Sequence, residues 1–514
     1  MKDLKSLIES IEALIADPAR LAALTKAERA RLMAAAGRLS RPAKLERLRD
    51  AKTVRKEKRK LIREADRQLR NGTGIREARR AEVFEAPPLL PAPETPSREL
   101  KVARVCYVCK QPHTRLHHFY DGMCPACADL NYAKRFQTAD LSGRVAYITG
   151  ARLKIGYQAG LKLLRAGARV LVSTRFPHDA ARRYAAEKDS GQWLDRLRVH
   201  GLDLRHSPSV EIFARYLNAT EARLDVLVNN AAQTVRRPVG FYQHLLEGEA
   251  IGWSRLPDVE KKILGGHYEV LGALGQDKSS RDVCPPPEDK HPGKNSPSTT
   301  TLTSWDGGAL GVGLRDSAAL SQVRMTYDDR TCGKETFPEG KLDADLQQVD
   351  LRGFNTWRMS LAEVPTPELL EVLLINAVAP FILAARLKPL MLKARTGAVH
   401  VINVSAMEGI FSRGTKTDKH PHTNMAKAAL NMMTRTSAPD YAKDGIWMNA
   451  VDTGWVTDED PLVHALRKQE DHDFQPPLDV VDGAARVLDP LFAGLLTGKH
   501  ASGLFFKDYA PSGW

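Results

Sequence analysis

Two pairs of cysteines, Cys106-Tyr-Val-Cys109 and Cys124-Pro-Ala-Cys127, fall within 22 residues of a chain of 514. Each C-x-x-C turn lets two thiolates converge on one ion while backbone amides stabilise their charge, and four such sulfurs satisfy tetrahedral zinc. With every position taken by protein, the spacing predicts a structural ion and no open coordination site. His113, His117 and His118 lie between the pairs and are alternative ligands, but the four cysteines are the expected set. Neither pair follows a thioredoxin-like strand, which argues against a redox dithiol. Sparse cysteine usage points to a reducing compartment, and Cys284 and Cys332 read as unpaired residues in a loop-like region.

A second constellation begins where an apolar run, Val145–Thr149, meets Gly150-Ala-Arg152-Leu-Lys154-Ile155-Gly156. A glycine turn between a buried strand and a helix brings backbone close to a ligand. The unpaired amides of the helix start then favour an anion such as a diphosphate. Further polar residues follow in order at the ends of later apolar runs: Asp203, Asn229-Asn230-Ala231-Ala232, Asn376, Ser405, Lys427, and Thr453-Gly454-Trp455-Val456-Thr457.

Positioning these groups requires strands buried on both faces. The short, nearly continuous runs Val145–Thr149, Val170–Ser173, Val199–Asp203, Leu224–Asn229, Ala398–Val404 and Ile446–Val451 fit that need. Amphipathic helical stretches such as Tyr157–Ala166 and Leu369–Leu392 separate them, so the predicted fold is α/β, a doubly wound parallel Rossmann sheet over about 141–508. Upstream, residues 1–85 read as a basic helical arm, broken at Asp17-Pro18 and at Arg41-Pro42. A proline-rich linker spans 86–101, and the zinc knuckle occupies 102–135. Between about 240 and 355 the alternation disappears, and Gln276–Thr303 reads as a loop. This insertion is expected to be either a lid or partner-binding segment, or a passive loop.

The ordered polar set resembles the short-chain dehydrogenase/reductase family over about 141–240 and 355–508. The resemblance implies that Thr149, Gly150, Arg152, Ile155 and Gly156 form the phosphate turn, that Asp203 and Leu204 bind adenine, and that Asn229 and Ala231 match N-N-A-G. It further implies that Asn376 supports a proton relay, and that Lys427 grips the nicotinamide ribose and lowers a catalytic tyrosine's pKa. Gly454 and Val456 would lie near the nicotinamide. Arg175 follows the second strand where no acid is present to bind a ribose diol, so it suits a 2′-phosphate and favours NADP(H) over NAD(H).

Three departures alter the chemistry. Lys154 replaces the middle glycine of the turn. The family's tyrosine falls on Thr423, whose hydroxyl is far too weak an acid for that role. The catalytic serine aligns on Ala406, with Ser405 one residue early and on the opposite strand face unless the strand end twists. His422 is the nearest substitute acid/base. Two functions therefore stand open: an NADP(H)-dependent oxidoreductase interconverting carbonyl and alcohol through an altered relay, or a catalytically impaired nucleotide-binding sensor or scaffold.

The net charge of +14 is uneven: residues 1–100 hold 24 lysines and arginines against 15 acids. Residues 41–80 alone hold 16 basic and 6 acidic side chains. A segment of that kind can touch nucleic acid at low salt, although without interleaved aromatics a solvated helix face is the expected reading. No apolar run of bilayer length and no apolar leader are present, so the expectation is a cytoplasmic protein without a membrane partner. Its partners would be a small-molecule substrate and, by the family resemblance, a second copy of itself.

Overall fold

The computed structural model describes residues 2–40, 44–89, 98–274, 311–326, 329 and 333–514. Cys284, Cys332, Gln276–Thr303, Arg41-Pro42 and residues 90–97 of the proline-rich linker lie outside the described residues. The chain divides into two units. The smaller runs up to Leu69 with Leu100–Val102, and is built from helices Lys2–Ala16, Pro18–Ala22, Lys26–Ser40 and most of Lys44–Asn71. Asp17 caps the second helix by accepting from Ala19 N at 3.1 Å, which explains the break at Asp17-Pro18.

The larger unit begins with the helix Gly74–Ala78; further along the chain come a short antiparallel ribbon, β1 (Glu99–Val105) and β2 (Pro112–Arg115), and the helix Pro125–Phe136. An eight-stranded sheet comes next: β3 (Val145–Thr149), β4 (Arg169–Thr174), β5 (Leu197–Gly201), β6 (Val226–Asn229), β7 (Val399–Ser405), β8 (Ile446–Asp452), β9 (Phe505–Lys507) and β10 (Ala510–Ser512). Its order is β5-β4-β3-β6-β7-β8-β9-β10, parallel except for β10 against β9. The reversal of strand order between β3 and β6 opens a crevice at the carboxyl ends of the strands, where such sheets bind ligands.

Alternation along β3 shows why these runs are continuous. Ala146 and Ile148 join the core under the helices Lys154–Arg165 and Val480–Thr497, whereas Val145 and Tyr147 join the opposite core under Ser207–Thr220 and Ala379–Leu392. A strand covered on both sides favours apolar side chains at successive positions and admits a polar one where a partner is buried with it, as Tyr147 Oη with Ser173 Oγ at 2.8 Å.

The stretch between 240 and 355, which shows no alternation in sequence, contains the helices Gln243–Glu249, Asp258–Ala273 and Val312–Arg315. Ile263 and Leu264 of the second pack into the sheet core beside Val199, so this part of the insertion covers the β5 edge. The predicted single helix Leu369–Leu392 is instead Thr366–Leu373 and Ala379–Leu392, joined by a π turn over Leu374–Val378.

Candidate active site

The turn after β3 is held by close contacts. Gly150 adopts φ +68°, and a Cβ there would sit 2.8 Å from Ala231 Cα. A Cβ on Gly156 would lie 2.4 Å from Asn230 Nδ2 and 2.5 Å from Gly150 O. Both positions therefore admit only glycine. Asn230 Nδ2 donates to Thr149 O (3.0 Å) and Gly150 O (3.2 Å). The amides of Asn230 and Ala231 donate to Thr149 Oγ1 at 3.1 and 3.0 Å. Leu153 precedes the helix without a side-chain cap, so no side chain at that position competes for the amides of the first turn. Lys154 occupies the left-handed region at φ +54°, a conformation natural to glycine that costs an L-residue about 1–2 kcal/mol.

A cleft of about 1290 Å³ runs from this turn to the ends of β7 and β8. Gly150, Arg152, Lys154, Ile155, Gly156, Arg175, Asp203, Leu204, Ala231, Ser405, Lys427, Gly454 and Val456 all line it, so the structure brings most of the expected residues to one cleft. Several are already engaged. Arg152 donates to Asp179 at 2.7 Å. Arg175 lies 4.6 Å over the Tyr242 ring and donates to its hydroxyl at 2.7 Å. Asp203 accepts from Arg205 N (2.9 Å) and Nη2 (2.6 Å); burial resists its ionisation, but Arg205 holds the carboxyl below the usual range.

Thr149, Asn229, Asn376, His422 and Thr423 do not line the cleft. Asn229 Nδ2 donates to Asn403 Oδ1 at 2.8 Å inside the sheet. Asn376 sits in the π turn, donating to Gln233 O (3.0 Å) and Val372 O (2.9 Å), while its buried Oδ1 has no partner among the described residues. A π turn of this kind commonly marks a functional position. His422 is where the structure departs most from expectation. Its helix starts at Pro421, which turns His422 and Thr423 into the interior, and burial, with the neighbouring His420, holds the imidazole down to about 4.

At the far end of the cleft, Ser405 lines the wall together with Ala406, and its hydroxyl donates to Asn431 Oδ1 at 2.6 Å. Lys427 is buried and donates to Val404 O at 2.9 Å; desolvation lowers its ammonium to about 8 against the pull of Glu408. One acid was not anticipated. Asp452 ends β8, is paired in register with Ser405 on β7, lines the cleft, and accepts from Met407 N at 3.3 Å. Burial pushes its carboxyl up to about 6, with Lys507 opposing the rise and Glu408 adding to it. A carboxylate at a strand's carboxyl end was the legible signal, the same one that singled out Asp203.

In the knuckle, the four Sγ atoms lie within 4.8 Å of one another, with Cys109 and Cys124 at 3.7 Å. Tetrahedral zinc with bonds of about 2.3 Å spaces its sulfurs about 3.8 Å apart, so the donor set fits. Among the described residues the ligand atoms that gather here are the four cysteines, and none of His113, His117 and His118 joins that group.

Residues 144–246 match the short chain dehydrogenase model, and residues 340–472 match the model described as enoyl-(acyl carrier protein) reductase. An uncharacterized protein, R665, of Acanthamoeba polyphaga mimivirus is 28% identical over 400 residues, covering 76% of this chain and 71% of that protein. Mouse retinol dehydrogenase 13 is 38% identical over 96 residues, which is 18% of this chain and only 28% of the enzyme. Among solved structures, the Pseudomonas aeruginosa RhlG/NADP active-site complex aligns at 16% identity and a TM-score of 0.40, over 71% of this chain and 95% of that one. Matched in chain order, residues 144–246 and 340–472 are therefore similar to short-chain dehydrogenases and reductases, and between them they carry most of the residues that line the cleft.

Proposed function

We propose that the protein is an NADP(H)-dependent oxidoreductase that interconverts a carbonyl and an alcohol, with Asp452 as the proton-transfer group. The observation that carries this reading is the cleft itself, which is lined by the glycine turn and by Lys427, Ser405 and Asp452. A bound reduced nicotinamide would supply the hydride. The chain's residues then have three tasks. The turn amides and Arg175 hold the phosphates, Lys427 holds the ribose end, and Asp452 delivers a proton to the oxygen of the carbonyl as it becomes an alcohol. A carboxyl raised to about 6 keeps roughly a tenth of its population protonated at pH 7 and can serve as an acid, whereas Thr423 cannot.

A second reading, a nucleotide-binding scaffold without turnover, draws on two observations: Thr423 is buried away from the cleft, and Ser405 already donates to Asn431. In either reading the knuckle carries one structural zinc.

Fluorescence titration with NADPH and NADH tests cofactor binding, and a carbonyl screen then separates enzyme from scaffold. Wild type is expected to prefer NADPH, and Arg175→Ala to weaken NADPH by about tenfold while leaving NADH within about twofold, since a charge-assisted contact to a 2′-phosphate is typically worth ~1.5–3 kcal/mol. Equal weakening of both would remove Arg175 from the phosphate site.

A further inference from the structure

The cysteine knuckle supplies part of the cleft wall. Tyr107 lies between the first two thiols, and it and Lys110 both line the cleft. The Tyr107 hydroxyl accepts the Trp455 amide at 2.9 Å, and a Cβ added to Gly454, which sits at φ +75°, would approach that hydroxyl to 3.0 Å. Tyr107 is therefore wedged beneath the Thr453–Thr457 loop. Its own backbone is fixed from both sides of the knuckle: Tyr107 N donates to Gly122 O at 2.8 Å, beside the second cysteine pair, and Lys110 N closes the first turn on Cys106 O at 3.1 Å. Lys110 Nζ donates to Tyr107 O and lies 5.0 Å over its ring, while Lys507 approaches from β9 at 5.6 Å.

From this placement we infer that Tyr107 is a positioning residue for the dinucleotide site, and that loading the four thiols with zinc tightens dinucleotide binding by fixing the Thr453–Thr457 loop. The inference rests on the cofactor reading given above. Without the ion, four adjacent thiols have no common centre, the turn carrying Tyr107 loses its anchor, and the acceptor for Trp455 N–H drifts. Linkage then demands the reciprocal effect: bound dinucleotide tightens zinc by the same factor.

The test uses the full-length protein as wild type and Tyr107→Phe, each with zinc and after chelation, and reads two quantities. The first is hydrogen exchange at the Trp455 amide without nucleotide; the second is the dissociation constant for NADPH. Zinc removal is expected to speed Trp455 exchange at least tenfold and to weaken NADPH by a similar factor. Zinc-loaded Tyr107→Phe, which keeps the ring and loses only the acceptor, is expected to show faster exchange and about fivefold weaker NADPH, the effect of one hydrogen bond. In that variant, zinc should change NADPH affinity less than in wild type. Unchanged Trp455 exchange in Tyr107→Phe overturns the inference, even if chelation unfolds the knuckle. Accelerated exchange in a protein that binds no NADPH upholds the brace and overturns the cofactor reading instead.

Discussion

Asp452→Asn lowers carbonyl reduction by on the order of 10²–10⁴-fold, the usual loss when a positioned general acid is removed. The substitution keeps the side-chain shape and the oxygen that accepts from Met407 N, so NADPH affinity should stay within about twofold of wild type. The pH profile supplies the sign. Because the carboxyl titrates at about 6, the wild-type reduction rate should fall as pH rises through that value, and the reverse oxidation, which needs the carboxylate as base, should rise through it. Both limbs vanish in Asp452→Asn. The groups that set this titration come from every element packed around it: Glu408 after β7, Lys507 and Asp508 at the β9–β10 turn, and Arg486 from the helix Val480–Thr497. Lys507→Met should therefore move the limb upward, since it removes a charge that favours the carboxylate. His422→Gln is the contrasting variant, expected to leave kcat unchanged. A profile without a limb near 6, or a large loss in His422→Gln with none in Asp452→Asn, returns the relay to the histidine.

What sequence could reveal follows from how each feature is encoded. Parallel strands buried on both faces write themselves as unbroken apolar runs, so β3 to β8 were legible to within a residue or two. The last pair was not. β9 and β10 have three residues each, and their turn, Asp508-Tyr509, carries both residues at positive φ (49° and 68°) without the glycine or asparagine that signals such a hairpin. The glycine turn was legible because two positions cannot bear a Cβ, yet the asparagine clamping it was visible only as part of N-N-A. Lys154 shows the limit of motif reading: the residue changed but the backbone kept the left-handed conformation that glycine would favour. Register of side chains across strands stayed out of reach, so Asp452 was overlooked beside Ser405. Tyr107 was hidden for a different reason. Its role comes from a contact with Trp455, 348 positions away, and nothing local distinguishes it from a spacer between two cysteines.

Arg135→Met should destabilise the protein by about 3–5 kcal/mol, the typical cost of stranding buried charges. Arg135 lies on the knuckle helix and is buried, with Nη1 and Nη2 on the two oxygens of Asp479 at 2.6 and 2.7 Å and Nη1 also 3.1 Å from Asp482. Asp479 in turn caps the helix Val480–Thr497, accepting from Val481 N (2.9 Å) and Asp482 N (3.0 Å). That helix presses Gly483 against Ile155 of the phosphate turn, where an added Cβ would come within 2.8 Å. The arginine thus links the knuckle to the helix that backs the cofactor turn. Burial works against ionisation of Asp479, and Arg135 outweighs it, leaving the carboxyl below its usual range. A depressed carboxylate contributes stability above its unfolded pKa of about 3.9 and loses it as pH falls below. In Arg135→Met the sign reverses at Asp479, and Asp482, which burial and Asp479 already raise in wild type, rises further, so the variant gains more stability than wild type on mild acidification between about pH 7 and 5. Adding Asp479→Asn, which removes a stranded charge and remains a good N-cap, should recover part of the loss. Chemical denaturation across that pH range measures all three proteins. A loss under 1 kcal/mol, or one that the second substitution deepens, would mean that the contact contributes through shape and not through charge.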